Sequence, residues 1–363
     1  MNILPLNKWL SLTENEPLII AGPCSAESER QLYDTAFELS KNKLVKIFRA
    51  GIWKPRTRPN GFEGVGEKGL KWLAEIKSKT KLLTAVEVAS PKHVELCLKY
   101  NIDILWIGAR TTGNPFSIQE IADSLVGTDI PVMVKNPLNP DLKLWIGAIE
   151  RLNQSGINRI IAIHRGFHTY NPQPYRNSPF WEIPIELKRI YENLPIINDP
   201  SHIAGSRDYI YEISQKAINL EMDGLMIEVH PTPDLALSDS NQQITPEQFN
   251  NLVKKLVFRS ESNDELLQNQ LTNLRTLIDE LDDELIRILS KRMKLVSKIG
   301  EFKKEYGITI LQIKRWNEII NDRLLKAEKL GLSKNFILNL LEVLHHESIQ
   351  IQNDILNSDN TKK

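Results

Sequence analysis

Between residues 18 and 258 the chain alternates short apolar runs with longer amphipathic stretches, and this alternation constrains the fold more than any other feature. The runs are Leu18–Ile20, Leu44–Phe48, Leu82–Val88, Ile104–Ile107, Pro131–Val134, Ile160–Ile163, Pro195–Ile197 and Leu225–Val229. They read as strands, and gaps such as Ser28–Leu39 and Pro91–Lys99 carry helical periodicity. Eight such units predict an α/β (β/α)₈ TIM barrel. The competing arrangement is an open doubly wound sheet, but no Gly-x-Gly-x-x-Gly fingerprint follows the first strand.

After Phe258 the pattern changes. Residues 259–265 are polar and predict a linker; residues 266–352 are rich in Leu, Ile, Glu and Lys, with no proline and three glycines. An all-α three-helix domain is expected over 266–356, with helices near 265–305, 312–329 and 334–356, the last capped by Ser333. The barrel thus spans 1–258, and 357–363 reads as a disordered tail.

Lys+Arg 46 balance Asp+Glu 46, which argues against a nucleic-acid or membrane-surface protein. No apolar run reaches membrane-spanning length, and Met1–Leu10 lacks the basic start and apolar core of a secretory signal. Cys24 and Cys97 are far apart in sequence, so a reducing, cytoplasmic setting is expected.

A barrel of this kind builds its site at the C-terminal ends of its strands. Strand two ends in a Pro/Gly-stiffened loop, residues 48–59, that holds Arg49, Lys54, Arg56 and Arg58. Strand four is followed by Arg110, strand five by Lys135 and strand six by Arg165; strand three ends in Glu87. So many cations at one mouth predict a substrate, or a substrate pair, with several negative charges. The remaining strand ends carry Cys24, His202 and Glu228, with Asp239 in the last loop. A thiol, an imidazole and two carboxylates suit a divalent ion such as Mn²⁺, Fe²⁺, Zn²⁺ or Co²⁺. Each of these residues alone would also suit a buried structural role.

Gly22-Pro23-Cys24-Ser25, Arg49 with Lys54-Pro55-Arg56-Thr57, Gly108-Ala109-Arg110, Asp199-Pro200-Ser201-His202, Glu228-Val229-His230 and Ala236-Leu237-Ser238-Asp239 together resemble 3-deoxy-D-arabino-heptulosonate 7-phosphate (DAHP) synthase in its short type I form. The resemblance implies condensation of phosphoenolpyruvate with erythrose 4-phosphate, Lys-Pro-Arg-Thr being similar to the erythrose 4-phosphate version of that loop. It implies Arg49 and Lys54 on the phosphoenolpyruvate carboxylate, and Arg110, Lys135 and Arg165 on its phosphate. Arg56 and Thr57 would hold erythrose 4-phosphate, with Glu87 also in the substrate site and the metal on Cys24, His202, Glu228 and Asp239. Lys54 is expected to act as acid or base, its pKa lowered by neighbouring cations. Two departures from the family are His164 beside Arg165, in place of a glutamate, and Asn136-Pro137 after Lys135. A Schiff-base aldolase using Lys135 or Lys54 remains the alternative chemistry.

In the first long helix, Leu267, Leu271, Leu274, Ile278, Leu281, Leu285, Ile288, Leu295, Ile299 and Phe302 form a seam that Arg292 interrupts. A cation on a buried face needs an anionic partner, either an acid such as Asp282 or a ligand. Arg292 and Lys303 lie about 16 Å apart on a straight helix, whereas Arg275 is about 42 Å from Lys303. Arg275 therefore joins them only from an antiparallel second chain. Arg275 and Asp282 through Arg292, Gly300, Lys303, Arg315, Ser348 and Gln352 resemble the all-helical chorismate mutase domain. That implies a homodimer in which Arg275 reaches the partner's site and Arg292 and Arg315 hold the carboxylates of chorismate. Lys303 and Gln352 would then bond the breaking ether oxygen, with Ser348 lining the pocket and prephenate as product. Gln312 and Trp316 stand where the family often has acids. The combined expectation is a bifunctional, metal-dependent shikimate-pathway enzyme; the alternative is a barrel with a catalytically silent, prephenate-sensing helical module.

Overall fold

The computed structural model describes residues 1–13, 16–54, 61–170, 174–258 and 265–358. It divides into two compact units, Met1–Ser260 and Glu261–Lys363. In the first, eight parallel strands close in sequence order into a barrel. They are β1 (Leu18–Gly22), β2 (Val45–Arg49), β3 (Leu83–Val88), β4 (Ile104–Ile107), β5 (Val132–Lys135), β6 (Ile160–His164), β7 (Ile196–Asn198) and β8 (Gly224–Glu228). Closure is made by β8 on β1, with Leu18 opposite Gly224 and Gly22 opposite Glu228. Around the barrel run α1 (Glu29–Ser40), α2 (Glu67–Thr80), α3 (Pro91–Lys99), α4 (Ala109–Thr112), α5 (Pro115–Ser124) and α6 (Leu142–Gln154). These are followed by α7 (Glu182–Ile190), α8 (Pro200–Ala204), α9 (Ile210–Asn219) and α10 (Pro246–Lys255).

Strand side chains alternate between two cores, because successive Cβ atoms point to opposite faces. Ile20, Ile47, Ala85, Trp106, Met133, Ile163, Ile197 and Met226 fill the interior. Ile19, Phe48, Val86, Leu105, Val134, Ala162 and Leu225 face the helices. Helices start where a side chain satisfies their open N–H groups: Ser28, Ser90, Asn114 and Asp141 each accept from the first turn, and Thr245 forms a capping box with Gln248. The N-terminal segment also has a role. Leu10 is buried in the interior core, and Leu6, Trp9 and Leu12 pack against it, plugging the barrel opposite the mouth.

Gly22 has φ +149°, and a Cβ there would overlap the Arg49 carbonyl. This close approach of β1 to β2 is what sets the Cys24 loop beside Arg49. Gly22→Ala should therefore destabilise the barrel by about 2–5 kcal/mol through backbone strain and overpacking, seen as a lowered denaturant midpoint for its transition. An unchanged midpoint would refute the steric argument.

The second unit holds three helices, α11 (Glu265–Glu305), α12 (Ile313–Lys329) and α13 (Lys334–Asn357). Ser333 caps α13, accepting from the Phe336 N–H. The seam does not pack within the unit as the sequence pattern suggests. Leu274, Ile278, Leu281, Leu295, Ile299 and Phe302 are exposed. The face of α11 turned inward instead runs through Leu289, Arg292, Val296, Gly300 and Lys303, with Val296 and Gly300 buried. A Cβ on Gly300 would crowd Ile355 and Gln352, so glycine admits α13 at this point. No described helix is long and apolar enough to cross a membrane.

Candidate active site

The barrel mouth gathers the strand-end residues into one charged cluster. Cys24, Glu228 and Asp239 place ligand atoms within 4.8 Å of one another. The Cys24 thiol lies 3.2 Å from Asp239 Oδ2. His202 joins them from α8, its Nε2 being 3.8 Å from Glu228 Oε1. Its other nitrogen, Nδ1, bonds Asp199 Oδ1 at 3.0 Å, which fixes the ring with Nε2 toward the cluster. Asp199 also accepts from Lys135 Nζ at 2.8 Å and from the His202 N–H at 3.1 Å. Burial opposes charge on Asp199, but His202 and Lys135 hold its carboxyl well below the usual range.

These residues fit a divalent cation. Glu228 is fully buried, yet its Oε1 accepts no hydrogen bond among the described residues, with Arg49 Nη2 3.2 Å away. Burial favours the neutral acid, but His202 and Arg49 keep Glu228 ionised. Burial lowers the His202 pKa from its ordinary value, against the pull of Asp199 and Glu228. Burial and the nearby Glu228 push the Cys24 thiol up to about 12, against the opposing pull of Lys54 and Arg49.

The cations stand around this cluster. Arg49 is 1% exposed and lies over the Trp106 ring at 4.8 Å, and its Nε and Nη1 have no hydrogen-bond partner among the described residues. Buried, unpaired guanidinium donors are costly unless an anion meets them. Arg165 donates to Asn177 Oδ1 at 3.0 Å, and burial with Arg176 and Arg110 nearby lowers its pKa to about 10. Three arginines crowded at one place also call for a multiply charged anion. Glu87 lies across the end of β4, against Gly108. Arg56 and Thr57 lie outside the described residues.

Lys54 donates to the Cys24 carbonyl at 2.9 Å and to its sulfur at 3.1 Å. Its pKa moves opposite to the sequence expectation. Burial alone would lower it, but Cys24, Glu87 and Glu228 outweigh burial and Arg49, so the ammonium is retained. The two departures from the family pattern leave the mouth intact. His164 turns from it: burial holds the ring neutral, with a pKa near 4, and Nε2 donates to the Pro179 carbonyl at 2.6 Å. Asn136 braces the next loop, its Oδ1 accepting from the Arg165 N–H at 2.7 Å.

Sequence reasoning missed three residues that organise this mouth. Arg176 donates to Asp239 Oδ1 at 2.9 Å and to Gln242 Oε1 at 2.7 Å. Gln242 Nε2 donates to Glu228 Oε2 at 2.7 Å. Gln243 accepts from the Cys24 N–H at 2.9 Å and donates to the Ser238 carbonyl at 2.7 Å. With Asp199, these side chains fix all four ligand-type residues. Gln243→Leu should weaken divalent-metal affinity about 10–100-fold, measured by competition with a metal indicator on protein of unchanged circular dichroism. Unaltered affinity would remove Gln243 from this role.

The sequence profile of the DAHP synthetase I family matches residues 9–262. The chain belongs to that family. Residues 274–353 of this DAHP synthase match chorismate mutase type II, so the enzyme joins a DAHP synthase barrel to a chorismate mutase domain. A phospho-2-dehydro-3-deoxyheptonate aldolase of Thermotoga maritima is 36% identical over 238 residues, covering 66% of this chain and 68% of that one. A crystal structure of a T. maritima enzyme of that name superposes with a TM-score of 0.59 at 34% identity, over 66% of this chain and 67% of that chain. A 2-dehydro-3-deoxyphosphooctonate aldolase of Desulfotalea psychrophila is 28% identical over 66% of this chain and 88% of its own length. The Haemophilus influenzae T-protein is 38% identical over 93 residues, 24% of this chain and 25% of that protein.

In the mutase domain a second cluster forms between α11 and α13. Arg292 Nη1 donates to Ser348 Oγ at 2.8 Å, and Ser348 and Gln352 are both buried. Gln352 Nε2 bonds the Ser348 carbonyl at 3.0 Å, leaving Oε1 buried without a hydrogen-bond partner among the described residues. Lys303 reaches the Ile310 carbonyl at 2.6 Å. Burial lowers the pKa of both Arg292 and Lys303. Arg315 and Arg275 are not brought to this cluster within one chain. Arg315 is exposed and pairs with Glu318 at 3.0 Å, and Arg275 lies on the exposed half of α11.

Proposed function

We propose that the barrel condenses phosphoenolpyruvate with erythrose 4-phosphate to DAHP and inorganic phosphate, and that the helical domain rearranges chorismate to prephenate. The observation that carries the first reading is Arg49, whose Nη2 lies 3.2 Å from Glu228 of the Cys24–Glu228–Asp239 cluster while its buried Nε and Nη1 have no hydrogen-bond partner among the described residues. An anion bound there lies against the metal ligands. In this reading Arg49 and Lys54 hold the phosphoenolpyruvate carboxylate, Arg110, Lys135 and Arg165 its phosphate, and Arg56 and Thr57 the aldose phosphate. Glu87 orders the cations from the β3 side. A divalent ion (Mn²⁺, Fe²⁺, Zn²⁺ or Co²⁺) on Cys24, His202, Glu228 and Asp239 would supply Lewis-acid polarisation of the aldehyde. Lys54, held as ammonium, is placed to give a proton to the aldehyde oxygen as C3 of phosphoenolpyruvate attacks. The arginines bring two mutually repelling anions together and stabilise the departing phosphate.

Schiff-base chemistry is disfavoured by the state of both lysines. Lys54 is kept charged, and Lys135 is paired with Asp199. A protonated amine is no nucleophile.

For chorismate, Arg292 and Lys303 supply charge for the ligand, and Ser348 and Gln352 line the pocket. Rearrangement needs folding of the substrate and stabilisation of the ether oxygen, with no acid, base or nucleophile. The exposed apolar line of α11, Leu271, Leu274, Ile278, Leu281 and Leu285, supports a homodimer in which the partner subunit's Arg275 completes the site. A cytoplasmic setting agrees with two free, buried cysteines. The isolation of Arg315 favours a second reading, a silent helical module that senses prephenate and slows the barrel.

The deciding experiment follows phosphoenolpyruvate loss with four-carbon and five-carbon aldose phosphates, and chorismate loss, on the full chain. Preference for arabinose 5-phosphate would overturn the barrel assignment. Absence of chorismate loss, with prephenate slowing phosphoenolpyruvate consumption, would select the sensing module.

A further inference from the structure

Trp316 from α12 and His345 from α13 stack face to face, with ring centroids 3.8 Å apart and planes 15° from parallel. His345 precedes Ser348 by three residues and Gln352 by seven, so the three share one face of α13. Arg292 reaches that face from α11, donating to Ser348 Oγ at 2.8 Å and to the Leu344 carbonyl at 3.4 Å. The imidazole is therefore a polar group at the lip of the pocket, held flat by an indole. Its nitrogens make no hydrogen bond among the described residues.

Resting on the mutase reading of this pocket, we propose that His345 is one of its ligand-binding residues, donating as imidazolium to a carboxylate of the bound dianion, so that binding takes up a proton. The charges around His345 give the sign. Burial, then Arg292 and Lys303 of α11, hold its pKa below the ordinary value. What α12 sets against it is the uncharged Trp316, and no acid of α11, α12 or α13 acts on it among the described residues. In the empty pocket the ring is therefore neutral near pH 7. A dianion offsets both cations and offers the ring an opposite charge, which raises its pKa in the complex. The ligand then binds the protonated pocket better. Affinity is greatest below the empty-pocket pKa and falls as pH rises through the value in the complex, within about pH 5–8 for a histidine. Trp316 positions the ring, because stacking leaves the imidazole edge, which carries both nitrogens, free to face the ligand.

The test is calorimetric titration of the full chain with prephenate at about pH 6 and about pH 8, in buffers of different ionisation enthalpy. The wild type should take up most of one proton at the lower pH and bind about three- to tenfold more tightly there. His345→Gln keeps a donor that does not titrate, and His345→Phe keeps a flat ring on Trp316. Both should lose the uptake and the pH dependence. Uptake persisting in both variants, or wild-type binding without uptake, overturns the proposal and leaves the mutase pocket standing. Wild-type binding that Arg292→Ala does not weaken, or no binding at all, overturns the pocket reading and the proposal with it.

Discussion

Cys24→Ala should abolish phosphoenolpyruvate consumption, by about 10³-fold or more, while the same chain turns over chorismate at the wild-type rate. The reasoning begins with the donor set. Cys24 Sγ is the only soft donor in a cluster that otherwise offers His202, Glu228 and Asp239, all brought together within a few ångströms. Without the thiol the site loses the ligand that favours Zn²⁺, Fe²⁺ or Co²⁺ over harder ions. It also leaves Glu228 and Asp239 close together with less cationic charge to share. A chelator should reproduce the loss in the wild type, and added Mn²⁺ or Zn²⁺ should reverse it there without rescuing Cys24→Ala. Chorismate loss reports that the helical unit is intact, and an unchanged circular dichroism spectrum and denaturant midpoint report that the barrel is folded. A variant that keeps wild-type condensation would remove Cys24, and the metal reading, from the mechanism.

The strands were legible because an eight-stranded parallel barrel buries both faces of each strand, and Leu18–Ile20 through Leu225–Val229 read as uninterrupted apolar runs. The cations were legible for a related reason. Arg49, Arg110, Lys135 and Arg165 follow those runs directly, and the fold sends every strand end to one mouth. The residues that hold the ligands were not. Gln242 and Gln243 are buried amides in a loop, and nothing in a sequence distinguishes them from solvated ones until their partners, Glu228 and the Cys24 N–H, are in place. Arg176 lies far along the loop after β6, outside the window that counting strand ends examines. The sign of the Lys54 shift was lost similarly: the cations beside it are visible in the sequence, whereas Glu228 arrives at the same mouth from β8, far along the chain. In α11 the apolar seam was read as the inward face. The inward face is the neighbouring line through Arg292, Val296, Gly300 and Lys303, where a glycine admits α13 and two cations line the pocket. Hydrophobicity alone selects the wrong face when a long helix serves two surfaces.

Arg292→Ala provides the converse separation: chorismate turnover should fall by about 10³-fold while phosphoenolpyruvate consumption stays at the wild-type rate. Arg292 lies on the inward face of α11, and burial already lowers its pKa, so the pocket carries a cation that costs stability. Its fixed contacts are Ser348 Oγ and the Leu344 carbonyl, both neutral, which leaves the charge itself without an acid among these contacts. Removing it should therefore leave the helical domain at least as stable as before, so lost turnover cannot be ascribed to unfolding. Arg292→Lys makes the test sharper. An ammonium keeps the charge but cannot bond Ser348 and hold a planar carboxylate in the same fork geometry. It should recover only part of the activity, with the larger defect in KM if Arg292 binds ground-state carboxylate and in kcat if it acts in the transition state. A decrease of only a few-fold for Arg292→Ala, in a chain that still consumes phosphoenolpyruvate normally, would show that chorismate does not react at the Arg292–Ser348–Gln352 cluster.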